Sequence, residues 1–177
     1  MSRWDNASAI GTNQNIFYRN AEVENVDLRI FPNLVSLPYS GQYGVFSYCT
    51  ALKTLVLPPG ITSTPLNLCT YCSSLKKVTF SHGFTTINNR LFYRARSGII
   101  LDLPETLTTI TNVLSSSNES TLVLILRGDV GSFDGLISAT RVTSIYVLDE
   151  YLSNYQTYLA GSSNLSKLKP LSEYVET

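Results

Sequence analysis

The chain has 177 residues, 44% apolar and only 15% charged, with 13 basic residues against 13 acidic. That length and apolar content suit one folded domain with a sizeable core rather than a disordered chain. The sparse, balanced charge supplies neither a basic stripe for nucleic acid nor a polybasic cluster for a membrane surface, so neither partner is expected.

Met1 to Trp4 leads into a polar stretch without an apolar run, so no secretory signal is predicted there. The longest apolar run, Leu122 to Leu126, is far too short to cross a bilayer, and no membrane insertion is expected. The chain is read either as an intracellular protein or as a segment of a longer exported one, and its low charge and many Ser, Thr and Asn residues favour the second. Ala9-Ile10-Gly11 reads as the middle of a coil, which favours an array that continues upstream, the alternative being an N-terminal cap that begins at Trp4.

Ile16-Phe17-Tyr18-Arg19 opens the first legible coil, echoing Leu91-Phe92-Tyr93-Arg94. It runs on through Val26, Leu28, Ile30 and Pro32, aligned with Ile99, Leu101, Leu103 and Pro104. The segment Asn33 to Gly44 breaks the spacing and is predicted to be a loop insertion. From Leu52 onward the spacing is 23 residues: Leu52 through Leu57, Leu75 through Phe80, Gly98 through Leu103, Leu122 through Leu126, and Ile145 through Val147. The predicted register has no gap across these five coils.

Other rows keep the same time. Ile61, Phe84, Leu107 and Val130 form one, Ile87, Ile110 and Phe133 a second, and Leu68, Leu91 and Leu114 a third. Phe46, Cys69 and Phe92 share a slot, as do Cys49, Cys72 and Ala95 three residues later. Alternation of Leu55 and Leu57 about Val56 marks a short strand, and Pro58-Pro59-Gly60 ends it. One such coil cannot bury its apolar side, whereas stacked coils bury a continuous column. The expected fold is therefore a leucine-rich repeat solenoid of about six stacked 23-residue coils. Its short parallel strands should lie roughly 4.8 Å apart, and a C-terminal helical cap should close it.

Residues 1–147 are assigned to the solenoid and 148–177 to the capping segment. In the cap, Leu152, Tyr155 and Leu159 form an apolar helical face ending at Gly161, with Asp149 the expected N-cap. The tail through Leu165, Leu168 and Leu171 is expected to finish the lid.

Chemistry is thin. Three cysteines make no disulfide framework, and Cys69-Thr-Tyr-Cys72 lacks the second pair that a structural zinc site needs. Free, buried thiols filling core slots are expected, since cysteine packs as a small hydrophobe. His82, the sole histidine, falls in the turn Ser81 to Gly83 and is read as exposed. Asp129 and Asp134 are scattered in Gly-rich turns, and Gly128-Asp-Val-Gly131 lacks the rest of a phosphate loop. No catalytic residue, metal or cofactor is expected.

Two outward surfaces carry more information. Tyr48, Tyr71 and Arg94 share one slot and should form a ladder, of the residue types favoured at binding hot spots or stacked for its own sake. On the outer face of the sheet, Ile100, Val123, Ile125 and Tyr146 should form an apolar patch. Such a patch is either ordinary β-branched surface, a face for a partner or a second copy, or ground covered by the loop from Gly128 to Arg141.

The slot pattern Phe46, Cys49, Leu52, Leu55, Leu57 and Pro58 resembles the BspA-like leucine-rich repeats of bacterial and some protozoan surface proteins. Cys69 in the Phe slot and Ala95 in the Cys slot depart from it. The close, from Ile145 to Tyr174, resembles the final segment of gut-bacterial members, with Leu148 where Pro is usual. The resemblance implies a non-enzymatic binding or adhesion module at a cell surface or in a secreted protein, recognising a protein or glycan. It carries over no ligand-binding residue. The alternative is a structural spacer or a self-associating subunit.

Overall fold

In a computed structural model, residues 17–37, 39–40, 43–87, 91–95, 98–110, 121–130 and 141–176 are described. Their strands run in chain order as β1 (Asn25–Asp27), β2 (Tyr39–Ser40), β3 (Tyr43–Gly44), β4 (Thr54–Leu57), β5 (Lys77–Phe80), β6 (Thr86–Ile87), β7 (Ile99–Leu103), β8 (Thr109–Ile110), β9 (Leu122–Leu126), β10 (Val142–Val147) and β11 (Leu168–Pro170). Among the described residues one α-helix, α1 (Leu152–Tyr158), precedes β11.

Seven strands form one parallel sheet in the order β1-β4-β5-β7-β9-β10-β11, so every coil's strand pairs with that of the next. Aligned across it are Val26, Leu55, Val78, Leu101, Leu124, Ile145 and Leu168. From Leu55 to Ile145 this column is fully buried. Among the described residues, two further turns around the core repeat from coil to coil. One turn brings Phe46, Cys69 and Phe92 inward, and the other brings in Ile61, Phe84, Leu107 and Val130, all buried. Leu114 and Phe133 lie outside the described residues.

The second turn carries its own short ladder, with Ser63 bridged to Thr86 and β6 paired to β8. Thr85 and Thr108 each donate a hydroxyl to the carbonyl one coil before, at Thr62 and Thr85. The same carbonyls also accept backbone N–H groups of the next coil, from Thr85 and Thr86 at Thr62 and from Thr108 and Thr109 at Thr85, so the hydroxyls reinforce this ladder.

The sheet departs from the predicted register in three places. Val26 aligns with Leu101 rather than with Ile99, because β1 stops at Asp27. The Asp27 carboxylate accepts from the Arg29 backbone N–H at 2.9 Å and starts a 3-10 turn over Leu28–Ile30. Ile30, expected in the core, is exposed. Secondly, β10 follows β9 by 21 residues and not 23, pairing Leu124 with Ile145 and Leu126 with Val147. A β-bulge leaves Thr143 without a partner residue, and its hydroxyl donates to the Leu122 carbonyl at 3.0 Å. The shift is even, so the faces of the strand are not exchanged.

Thirdly, the sheet has seven strands where about six were expected. Beyond β10 the 23-residue step resumes and carries Ile145, Tyr146 and Val147 onto Leu168, Lys169 and Pro170. The tail thus adds a strand as well as a lid. Helix α1 replaces the usual return turn, burying Tyr155 and Leu159 and ending before Gly161, whose φ is +78°. The Tyr155 hydroxyl donates to the Gly128 carbonyl at 2.5 Å and accepts from the Val130 N–H at 3.0 Å. Asp149 does not cap this helix. It accepts instead from the backbone and hydroxyl of Ser172, 23 residues on.

The insertion after β1 contains the antiparallel pair β2 and β3, and Leu34 and Leu37 anchor it in the core.

Candidate functional site

The turns before β1, β4, β5 and β7 close with a residue in the left-handed region. Arg19, Tyr48, Tyr71 and Arg94 have φ of 60°, 64°, 60° and 55°. That conformation aims each N–H at the next coil: Arg19 to the Ser47 carbonyl at 3.0 Å, Tyr48 to Thr70 at 2.7 Å, and Tyr71 to Tyr93 at 3.1 Å. The backbone asks for glycine or asparagine here, since a side chain in this region costs roughly 1–2 kcal/mol. The chain supplies tyrosine and arginine four times.

Those side chains build one continuous strip. Tyr48 and Tyr71 stack with centroids 4.5 Å apart and planes 13° apart, close to the spacing of adjacent coils. Tyr18 and Tyr43 pack against Tyr48 at 5.9 and 5.4 Å, and Tyr93 meets Tyr71 edge-on at 6.4 Å. A guanidinium stands at each end. Arg19 lies 5.3 Å from the Tyr18 and Tyr48 rings, and Arg94 lies 5.6 Å from Tyr71 and 5.4 Å from Tyr93. Arg94 also donates from Nη1 to the Tyr71 hydroxyl at 2.7 Å.

Among the described residues no carboxylate pairs with either guanidinium, and both arginines are exposed. The Tyr43 hydroxyl beside Tyr48, with burial adding to it, pushes the Tyr48 phenol up to about 12. The strip is therefore neutral along its length and cationic at both ends.

Of the predicted ladder, Tyr48, Tyr71 and Arg94 stand in one column as expected. Sequence reasoning missed Tyr18, Arg19, Tyr43 and Tyr93 as members. The signal for Arg19 was present in the echo of Tyr18-Arg19 by Tyr93-Arg94. Tyr43 comes from the insertion, which no periodicity covers.

On the outer face of the sheet, Ile100 is adjacent to Val123 and Ile125 to Tyr146. Ile100, Val123 and Tyr146 are half-buried, but Ile125 is 1% exposed and lies outside the main apolar cluster. Asp102, beside Ile125, holds Arg127 in a bidentate pair at 2.6 and 3.1 Å. The Tyr174 ring packs edge-on to Tyr146 at 5.0 Å, and Glu176 pairs with Lys77. Most of the loop from Gly128 to Arg141, considered as cover, lies outside the described residues.

The remaining reactive groups are placed apart. His82 is exposed in its turn and sits 2.6 Å from Glu105, its neighbour one coil on. Cys49, Cys69 and Cys72 are free and buried. Cys49 and Cys72 donate their thiols to the carbonyls of Phe17 and Phe46, at 2.8 and 3.0 Å. Burial pushes Cys49 up to about 12 and Cys69 well above an ordinary thiol. Gly128 belongs to packing, since a Cβ there would stand 2.5 Å from the Glu105 carbonyl oxygen. Among the described residues no three His, Cys, Asp or Glu side chains gather as a metal site, and no helix is long and apolar enough to cross a membrane.

Stacked parallel strands, rows of Leu at a fixed interval and inward Phe and Cys slots define a leucine-rich repeat solenoid. The family model described as a BspA type leucine rich repeat region matches residues 11–126, in six copies. The chain belongs to that family. No curated protein and no solved structure matches it.

Proposed function

We propose that this protein is a non-enzymatic binding module, part of a bacterial surface or secreted protein, which holds a protein or glycan partner on its tyrosine–arginine ladder. The observation that carries this reading is the occupancy of the left-handed column. The backbone favours glycine at Arg19, Tyr48, Tyr71 and Arg94, so the fold alone does not account for the residues found. Tyrosine and arginine give large contact area, hydrogen-bonding tips and planar faces, the properties of binding hot spots. The guanidiniums at the ends, which meet no carboxylate among the described residues, add an attraction for anionic groups on the partner.

The rival reading is a structural spacer or a self-associating subunit whose exposed faces pack against copies of itself. Joining through the edge strand β11 is disfavoured, since Pro170 has no N–H to offer another strand and Lys169 beside it adds charge. Face-to-face packing remains the form of that rival.

The test is capture on a panel of immobilised glycans and proteins, comparing the native chain with Tyr71→Ser and Arg94→Ala. Binding that falls at least tenfold in Tyr71→Ser, measured at a temperature where the variant is still fully folded, supports the ladder. Undiminished binding in both variants removes the ladder from the function.

A further inference from the structure

Ile125 stands on the outer face of the sheet, yet it is as inaccessible as the core, and the rest of its own strand does not explain that. In register it lies between Asp102 on β7 and Tyr146 on β10. Tyr174 packs on Tyr146 and lies near enough to Asp102 and Lys77 to feel their charges. That places the Tyr174 ring on the outer face, over the neighbours that flank Ile125 in register. Two residues later Glu176 pairs with Lys77 on β5 and also senses Arg127. Three residues thus cross four neighbouring strands, β10, β9, β7 and β5.

This cover is poorly fitted. Val175, at its centre, is 76% exposed, and the Glu176 side chain is 69% exposed. The segment joins no strand ladder. Among the described residues the buried Tyr174 hydroxyl has no hydrogen-bond partner, which a well-matched occupant would avoid. Beneath lies an apolar strip, Ile100, Val123, Ile125 and Tyr146, with a cation, Lys77, at its far side.

We infer that the outer face of the sheet is a peptide-binding surface occupied in this chain by its own segment Tyr174–Glu176, which a partner segment of the same chemistry displaces. The partner is an extended peptide with an aromatic residue followed two positions later by a carboxylate. The ring seats over Ile125 against Tyr146, and the carboxylate reaches Lys77. This inference is independent of the ladder.

The probe is a fluorescent peptide Ser-Glu-Tyr-Val-Glu, which copies residues 172–176, titrated by anisotropy into the native chain and into Glu176→Lys. The substitution sets a cation against Lys77 and Arg127, and it changes an exposed side chain. At least fivefold tighter binding to the variant is expected, and the gain should be lost in the doubly substituted Glu176→Lys, Lys77→Glu chain, where the closing contact is restored with its charges exchanged. A gain below fivefold, or equal binding of a peptide with alanine for tyrosine, overturns the inference. Should Glu176→Lys melt early, Tyr174→Ala provides the same comparison. Tyr71→Ser should leave peptide binding unaltered, so failure of the ladder and failure of this surface read out separately.

Discussion

Two columns follow the stack, one in the sheet from Leu55 to Ile145 and one on the turns that precede β1, β4, β5 and β7. In the sheet, Leu55, Val78, Leu101, Leu124 and Ile145 are fully buried and differ only in aliphatic shape. On the turn, Arg19, Tyr48, Tyr71 and Arg94 keep a backbone conformation constant while the side chains are two rings flanked by two guanidiniums. Burial explains the first column completely, because any branched aliphatic of similar volume fills a position between like neighbours. In the second, fold and residue type conflict, and the backbone is satisfied at the expense of steric strain. A repeat therefore shows its function where its residues go against what the coil prefers, not where they agree with it.

The contrast is broken first at the buried column. Leu124→Ala should lose about 2–5 kcal/mol, from lost transfer energy plus the cavity left behind. Thr79→Ala, half-buried on the other face of β5, should stay within about 0.5 kcal/mol. Denaturant titrations that gave equal losses would show the assigned faces to be wrong.

The next effect comes from groups buried in neutral form. Cys49, Cys69 and Tyr155 all have their ionisation pushed up, by burial first, and Tyr48 by its hydroxyl neighbour first. For a raised folded value, the stabilising contribution is complete below the unfolded pKa. It drains away as pH climbs from there to the folded value. For Cys49 that window opens at the ordinary value of 9.0 and closes at about 12, each unit being worth about 1.4 kcal/mol. Unfolding midpoints should hold from pH 7 to 8 and fall steadily above pH 9. At neutral pH the three thiols should titrate slowly with a thiol reagent, and mass spectrometry should find no intramolecular disulfide.

Much of the fold was legible because burial repeats. Ile61, Phe84, Leu107 and Val130 meet in one environment, so selection for shape leaves an interval that can be counted. The failures have physical reasons. The two-residue shift at β10 reflects a shorter run of chain between β9 and β10, which the single extra residue at Thr143 only partly makes up, and because it is even it preserves the alternation from which register was read. The seventh strand was hidden by α1: a helix in the return masked the fact that Leu168 lies 23 residues after Ile145. The ladder was legible by slot at Tyr48, Tyr71 and Arg94, but its left-handed backbone was not, since no glycine marks it. Ile100, Val123, Ile125 and Tyr146 were legible as one patch. That Tyr174 covers part of it follows from tertiary packing, which leaves no period.

The ladder itself provides a smaller, sharper test. At an ordinary position, replacing alanine by glycine costs about 0.5–1 kcal/mol. At Tyr71 the order should invert. Tyr71→Ala keeps the strained φ and loses the stack on Tyr48, worth about 0.5–1.5 kcal/mol. Tyr71→Gly loses the same stack but also relieves the strain, so it should be the more stable of the two by about 1 kcal/mol. Alanine equal to or better than glycine in a thermal melt would mean that the left-handed conformation is not strained. The argument from that column to binding would then weaken.

The smallest effect belongs to the contact between Lys77 and Glu176. Its hydrogen bond to Lys77 holds the Glu176 carboxyl below its usual value, and the same bond raises Lys77. A depressed carboxyl contributes above its unfolded pKa, ordinarily 4.5, and its contribution disappears as pH falls through the lowered value. The raised lysine contributes below 10.5 and loses its hold as pH rises beyond that. The segment should therefore be closed across neutral pH and loosen at both extremes, acid acting through Glu176 and alkali through Lys77. Both side chains are partly solvated, so the pair adds little to global stability, and salt should screen it. The sensitive observable is local: the ring resonances of Tyr174 and Tyr146, which pack edge-on, should shift together below pH 4 while the amide signals of β4 and β5 stay fixed. Glu176→Gln should abolish the acid transition and leave the alkaline one reduced. If the two rings keep their shifts from pH 7 down to pH 3 in the native chain, the carboxylate is not what holds the segment. Its cover of Ile125 would then have to rest on the tyrosine pair alone.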